Sequence, residues 1–280
     1  MEPVLKWAGG KRQILSTLKE LLPPEALLGH TYYEPFVGGG SVFLSLAHSR
    51  AIVNDCNPEL VNVYKQIKNT PDQIICLLRE HAEKHCKDYY YKIRAWDKSP
   101  GYLELPADVR AARTIYLNRT CFNGLYRVNR SGYFNVPIGS YVSPQIVRET
   151  QIREISDYLN NNDIQILCGD FENAVDNIQP GDVVYFDPPY DYDDDCSEGF
   201  VRYTANQFSR NDLMRLSKLC DKLVALGCYV LISNNDTECV QKYFPKDKYD
   251  HIHILGRRMI NNLSAKRHGV NEVIIVGKQQ

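Results

Sequence analysis

The sequence predicts an α/β fold, a doubly wound and mostly parallel sheet carrying a large helical insertion. Three observations point there. Short apolar runs at Thr31–Phe36, Ala51–Val53, Ile164–Cys168, Asp182–Phe186 and Cys228–Ser233 are separated by stretches of helical periodicity. The first run leads straight into Gly38-Gly39-Gly40 and an apolar helix start, the strand, glycine turn and helix of a first crossover. The block from Asn57 to Tyr141 is too long for a simple crossover and has its own helix signals, so it reads as an inserted, mostly helical subdomain.

Composition narrows the class. The chain has 280 residues, 44% hydrophobic and 24% charged, enough for one α/β domain with a sizeable insertion. No apolar run approaches the ~20 residues of a membrane span, and Met1–Gly10 has no signal-peptide core, so a cytoplasmic protein is expected. The nine cysteines form no Cys-x-x-Cys pair, which argues for reduced thiols and against a zinc site or a disulfide framework. His81, His85 and Cys86 share a helix face without a second ligand cluster, so no metal is expected.

The net charge of −1 hides a segregation. Six arginines and no acid lie between Val109 and Arg148, and four basic residues and no acid between His251 and Asn271. Asp170–Glu198 has ten acids and no Lys or Arg. Such blocks predict a basic surface suited to nucleic acid.

Along the chain, Gly9-Gly10 offers a tight turn with free N–H groups, and Lys11 adds a point charge before a helix over Arg12–Leu22. The second strand ends at Asn54-Asp55, and Asp55 lies 15 residues past Gly40. An acid there accepts hydrogen bonds from the ribose of an adenosine cofactor. Glu34 is a second acid near that site. Helices are expected from Pro58 to Lys68, Pro71 to Trp96 and Pro106 to Asn118.

Turn signals at Asn123-Gly124 and Ser131-Gly132 then predict a β-hairpin over Leu125–Val136. It mixes arginines with Phe122, Tyr126, Tyr133 and Phe134, the residue types that read guanine edges and wedge between bases. A helix over Ile146–Leu159 returns the chain to the sheet. Asp191–Thr204 is an acidic loop, and Arg210–Leu226 is a helix. Strands near Tyr249–Leu255 and Glu272–Val276 are expected as an antiparallel edge flanking the basic loop.

Asp187-Pro188-Pro189-Tyr190 follows the buried-strand run Val183–Phe186. A carboxylate stands at the strand end, two prolines fix the backbone and withhold N–H donors, and an aromatic ring follows. Acceptors beside a flat face suit a planar substrate that donates N–H bonds. Open sheets bind ligands at the carboxyl ends of their strands, so this cluster and the glycine-turn cluster are expected to share one crevice.

Lys6–Lys11, Glu34–Phe43, Asn54-Asp55, Asn118–Gly139 and Asp187–Tyr190, in that order, resemble the Dam family of DNA adenine methyltransferases, of the alpha group of amino-methyltransferases. Ile232-Ser233-Asn234 and Arg257-Arg258 to Glu272 extend the resemblance.

The resemblance implies a Rossmann-like S-adenosylmethionine-dependent methyltransferase fold. Residues 1–56 and 142–280 would form the catalytic, cofactor-binding domain, and 57–141 the inserted target-recognition subdomain. It implies S-adenosyl-L-methionine bound by Trp7, Lys11, Glu34, Phe36, Gly38, Gly40, Asp55 and Asp187. It implies catalysis by Asp187, Pro188, Pro189 and Tyr190 on an adenine flipped from duplex DNA. DNA contacts are assigned to Arg119, Phe122, Asn123, Leu125, Arg127, Arg130 and Pro137, with GATC the expected site.

Ser140 stands where family members often carry a basic residue after the Val-Pro-x-Gly step, so one outer contact departs from the pattern. Cytosine N4-methylation, an inactive DNA-binding protein on the same fold and a nicotinamide dehydrogenase remain as alternatives at this point. Double-stranded DNA is the expected partner, with a cognate restriction endonuclease acting on the same site as a further one. A monomer is expected, because no heptad seam is visible.

Overall fold

The structure is a computed structural model that describes residues 1–7, 15–22, 27–191, 208–254 and 272–278. It is a mixed α/β fold whose seven strands run mostly parallel. The chain divides into two compact units.

The first unit comprises Met1–Lys11, Val37–Asp170 and Arg202–Gln207. It holds the parallel pair β2 (Arg50–Asp55) and β3 (Asp163–Cys168), in register from Arg50↔Asp163 to Asp55↔Cys168. Helix α2 (Ser41–Leu46) follows the glycine turn. The segment after β2 supplies α3 (Pro58–Asn69), α4 (Pro71–Glu83), α5 (Lys87–Arg94) and α6 (Ala107–Thr120), and α7 (Glu149–Asn161) closes the unit. Asn57 starts α3 by accepting the N–H groups of Glu59 and Leu60, with Pro58 as the first helical residue.

Helix α6 is the hub of the insertion. Every residue from Ala111 to Thr120 is buried, including Arg113, Asn118 and Arg119. A helix enclosed on all sides must satisfy its polar side chains internally. Arg113 does so through the carbonyls of Ile93 (3.0 Å) and Arg94 (2.8 Å), the Tyr102 hydroxyl (3.2 Å) and an ion pair with Asp97 (3.0 Å).

The second unit comprises Arg12–Phe36, Phe171–Val201 and Phe208–Gln280. Its strands run β1-β4-β5-β7-β6, with β1 (Tyr32–Glu34), β4 (Val183–Phe186) and β5 (Tyr229–Asn235) parallel. Strands β7 (Glu272–Gly277) and β6 (Tyr249–Ile254) are antiparallel, the edge expected of the two late strands. All four residues of β4 are buried, as its unbroken Val-Val-Tyr-Phe run requires. Helix α1 (Leu15–Leu21) is short, and α8 (Arg210–Leu226) opens on a Ser209–Asp212 capping box and ends at Gly227 with φ 90°. Helix α9 (Glu238–Tyr243) is capped by the Thr237 side chain.

Two expectations need correction. The helix predicted from Pro71 to Trp96 is broken after Glu83, because the Cys86 thiol accepts the Tyr89 N–H and begins α5 afresh, and Ala95–Lys98 is a 3-10 turn. The hairpin over Leu125–Val136 is present as a turn with a single antiparallel bridge, Val128↔Phe134, rather than as two strands. The Asn129 side chain takes the N–H groups of Ser131 and Tyr133 (3.0 Å each), which shapes the turn at the expense of ladder bonds.

Candidate active site

In the first unit the glycine turn is gripped from three sides. The Asp55 carboxylate at the end of β2 accepts the N–H of Gly38 (3.1 Å) and of Asn57 (2.9 Å). The Tyr64 hydroxyl, on α3, donates to the Gly38 carbonyl at 3.0 Å. Trp7 lies against the turn so closely that a Cβ on Gly38 would stand 2.9 Å from the indole, and one on Gly39 2.6 Å from the Trp7 Cβ. Glycine at these positions is what allows the indole to seat. Burial pushes the Asp55 carboxyl up to about 6, against the two backbone hydrogen bonds that pull it down.

This cluster fits the adenosine end of a nucleoside cofactor, with an acid at the strand end, an aromatic wall and a glycine turn packed closely against it. Tyr64 is a member that sequence reasoning missed, since nothing in its helical spacing separates it from a core tyrosine.

The segment before the turn is tied to the insertion. Asn118 on α6 accepts the Lys6 N–H (2.8 Å) and donates to the carbonyls of Lys6 (2.7 Å) and Gly124 (3.0 Å). The Trp7 ring stacks on Tyr126. In the sequence Asn118 stands out only as the first residue of the stretch Asn118–Gly139; a polar residue among the apolar positions of α6 is the signal that could have found its role. Lys11 lies outside the described residues.

In the second unit Glu34 is buried at 2% exposure and accepts the Tyr32 hydroxyl at 2.6 Å. Phe36 stacks on Phe171 and meets Phe208 and Phe186 edge-on. Asp187 follows the last residue of β4 and is half-buried, Pro188 is buried, and Pro189 and Tyr190 are half-buried. The field of Asp187 contributes, after burial, to holding the phenols of Tyr32 and Tyr185 well above their usual range. Tyr185 and Ser233 share a hydrogen bond of 2.8 Å between their buried side chains. Both phenols therefore stay neutral beside the carboxylates. The Tyr190 hydroxyl donates to the Glu272 carboxylate at the start of β7.

The residues assigned to DNA contact divide in two. Phe122, Asn123, Arg127, Arg130 and Pro137 are exposed, and Leu125 is half-exposed. Asn123 adopts φ 53°, which turns the chain where it enters the hairpin. Arg127 donates to the Asn135 side chain at 2.7 Å across the hairpin. Arg119 is buried, and its guanidinium donates to the Gln145 carbonyl at 2.9 Å.

The arginine block read as an electrostatic footprint is thus largely internal. Arg110 pairs with Glu59, Arg113 with Asp97 and Arg148 with Glu2. Only Arg127 and Arg130 of the six are exposed. The hairpin is itself seated by side chains, since Asp97 accepts the Phe134 N–H (2.7 Å) while Tyr90 (2.9 Å) and Arg94 (3.1 Å) donate to the Val136 carbonyl.

Against known proteins, residues 7–260 match the model of the D12 class N6 adenine-specific DNA methyltransferases. The chain belongs to that family. Among relatives, it is 41% identical to the type II methyltransferase M1.LlaDCHI of Lactococcus lactis subsp. cremoris, over 98% of this chain and 95% of the relative. It is 38% identical to the type II methyltransferase M.MjaIII of Methanocaldococcus jannaschii, over 99% of each. It is 33% identical to the DNA adenine methylase of Escherichia coli K12, over 98% of this chain and 94% of the relative.

The chain is therefore an adenine-specific DNA methyltransferase that uses S-adenosylmethionine. This decides against the cytosine-specific, catalytically inactive and dehydrogenase readings. Among its described residues, the methyltransferase has no helix long and apolar enough to cross a membrane.

Proposed function

We propose that this methyltransferase modifies N6 of the adenine in GATC, with the target base turned out of the duplex and held by Asp187, Pro188, Pro189 and Tyr190. The observation that most supports the tetrapeptide as the seat of the base is its place directly after a fully buried strand, with the Tyr190 hydroxyl anchored on Glu272. An amino group paired and stacked in a duplex is out of reach, so the base must leave the stack.

The adenine amino nitrogen is a weak nucleophile because its lone pair is delocalised into the ring. The Asp187 carboxylate and the Pro188 carbonyl accept its two N–H bonds, which draws the nitrogen toward pyramidal geometry and localises the lone pair. Tyr190 stacks on the base and sets its plane. Positioning and directed acceptors do the work that a strong base would do elsewhere, and the amino proton is lost afterwards.

Asp55, Gly38, Gly40, Trp7 and Lys11, with Glu34, Phe36 and Asp187, would hold the cofactor. When bound, S-adenosylmethionine supplies an electrophilic methyl group on a sulfonium. The Asp55 carboxylate would take the ribose hydroxyls, and the backbone of the glycine turn would approach the nucleoside closely.

Residues 57–141 act as the target-recognition subdomain, and 1–56 with 142–280 as the catalytic domain. Phe122 and Asn123 enter the base stack from the hairpin base, Arg127 reads a base edge, and Leu125, Arg130 and Pro137 line the contact. Arg119 supports this surface from beneath. The type II designation of two relatives favours a modification role beside a restriction endonuclease of the same site. We place the enzyme in the cytoplasm, as a monomer acting on one base at a time.

Transfer of a labelled methyl group to duplex DNA, followed by nucleoside analysis and mapping of the modified sites, tests the reading. N6-methyladenine confined to GATC is expected, and Asp187→Ala should abolish it in a folded protein. Full turnover by Asp187→Ala, or methylation at a different sequence, would sink the corresponding part.

A further inference from the structure

We infer that Glu272 and the corner Asn234-Asn235-Thr237 are positioning residues for methyl transfer, holding Tyr190 and Asp191 and through them the tetrapeptide that receives the adenine. This rests on the assignment of Asp187–Tyr190 as the acceptor cluster.

The prolines create the need. Pro188 and Pro189 have no N–H, so the chain leaving β4 cannot be held by donors of its own at those positions. The anchors come immediately afterwards. The Tyr190 hydroxyl donates to Glu272, 82 residues away in sequence. Asp191 is then held at three points: its N–H donates to the Asn234 side chain (3.0 Å), its carbonyl accepts from the Asn235 amide (2.6 Å), and its carboxylate accepts from the Thr237 hydroxyl (2.8 Å).

These anchors are rigid. Asn234, Asn235 and Thr237 are 0%, 1% and 5% exposed. Asn235 and Glu272 are direct partners in the antiparallel β5–β7 ladder, so both anchors belong to one piece of sheet. A tyrosine ring turns about two side-chain torsions; anchoring the hydroxyl, which lies on the Cβ–Cγ axis, fixes the first torsion and with it the position and direction of the ring axis, and the in-plane preference of the phenolic O–H biases the ring plane about that axis. A base stacked on that ring inherits its orientation, and small misplacements of a reacting group cost rate steeply.

A double-mutant cycle in kcat tests this, on duplex DNA with S-adenosylmethionine saturating. It uses Tyr190→Phe, Glu272→Ala and the double variant, with Glu272→Gln and Thr237→Val alongside. Each of Tyr190→Phe and Glu272→Ala should lower kcat roughly 10-fold, and the double variant should be no slower than the worse single. Glu272→Gln keeps an acceptor for the phenol and should recover most of the rate, which a purely structural role would not predict. Thr237→Val should lower kcat while leaving S-adenosylhomocysteine binding unchanged.

Losses that multiply in the double variant overturn the inference. Tyr190→Phe removes the hydrogen bond without touching the β5–β7 ladder, so wild-type kcat in that variant alone also overturns it. Failure of the acceptor assignment itself would show differently, as methylation that persists in Asp187→Ala.

Discussion

The indole of Trp7 stacks on the ring of Tyr126, with centroids 5.5 Å apart and planes inclined by 28°. One face of Trp7 thus meets the hairpin, while its Cβ and indole edge lie against the glycine turn. Tyr126 in turn meets Phe134 edge-on at 5.7 Å. The glycine turn and the hairpin are therefore joined within the first unit by a continuous line of aromatic contacts.

Gly39→Ala should break that line at its start. The new methyl would fall 2.6 Å from the Trp7 Cβ, so either the turn or the tryptophan must move. Overpacking of this kind costs about 1–3 kcal/mol. Urea denaturation should register that loss, and calorimetry with S-adenosylhomocysteine should register weaker binding. An unchanged affinity would separate Trp7 from the cofactor site.

Asp55 gives the enzyme a pH dependence with a definite sign. Its carboxyl sits at about 6 in the folded chain against an ordinary 3.8. The folded state therefore keeps a proton that the unfolded chain has released. The stabilisation from that proton is complete below the unfolded value and is lost as pH rises through the folded one. Unfolding free energy should decline by at most ~3 kcal/mol across that window, and Asp55→Asn should flatten the decline. Cofactor affinity should move the opposite way, rising as the carboxylate ionises, and titrations at three pH values would show it.

Asp97→Ala should unseat the hairpin. It leaves Arg113 buried without its carboxylate, and the Phe134 N–H without its acceptor. Removing one partner of a buried ion pair costs about 3–5 kcal/mol. Amide exchange at Phe134 should accelerate and the melting temperature should fall. Protection equal to wild type at Phe134 would contradict the seating.

Arg127 and Arg119 should behave oppositely on substitution. Arg127→Ala removes an exposed guanidinium, so it should relax discrimination at one base pair by ~1–3 kcal/mol with little change in stability. Arg119→Ala removes a buried side chain bonded to the Gln145 carbonyl, so stability should fall. Methylation rates on single-substituted sites, measured beside denaturation curves, distinguish the two.

That contrast also marks how far the sequence could be read. Strand runs such as Val183–Phe186 declare themselves because a strand buried on both faces must be apolar throughout. The glycine turn declares itself because few other sequences permit it. The expected arginine surface failed because sequence cannot tell an exposed guanidinium from one paired in the interior. Arg113 lies on the same run as Arg127, and only the fold brings Asp97 to it. The hairpin was legible from its two turns, but its thin ladder was not, because Asn129 takes N–H groups that β-propensity would have assigned to pairing. Glu272 and Asn235 fell within segments that drew notice, yet their bonds to Tyr190 and Asp191 depend on a β5–β7 register that no local pattern encodes.

The seats of the hairpin lie at its two limbs and base: Tyr126 on Trp7, Asp97 at Phe134, Tyr90 and Arg94 at Val136, and the backbone bond from Phe122 to Pro137. None of these seats involves a residue of the tip, Asn129–Gly132. The tip is therefore an exchangeable cassette on a fixed mount. At its crown Arg130 and Ser131 can diversify without renegotiating the helices beneath, while Asn129 and Gly132 (φ 81°) hold the turn, and a transplant of the hairpin alone into another scaffold would arrive without its mount.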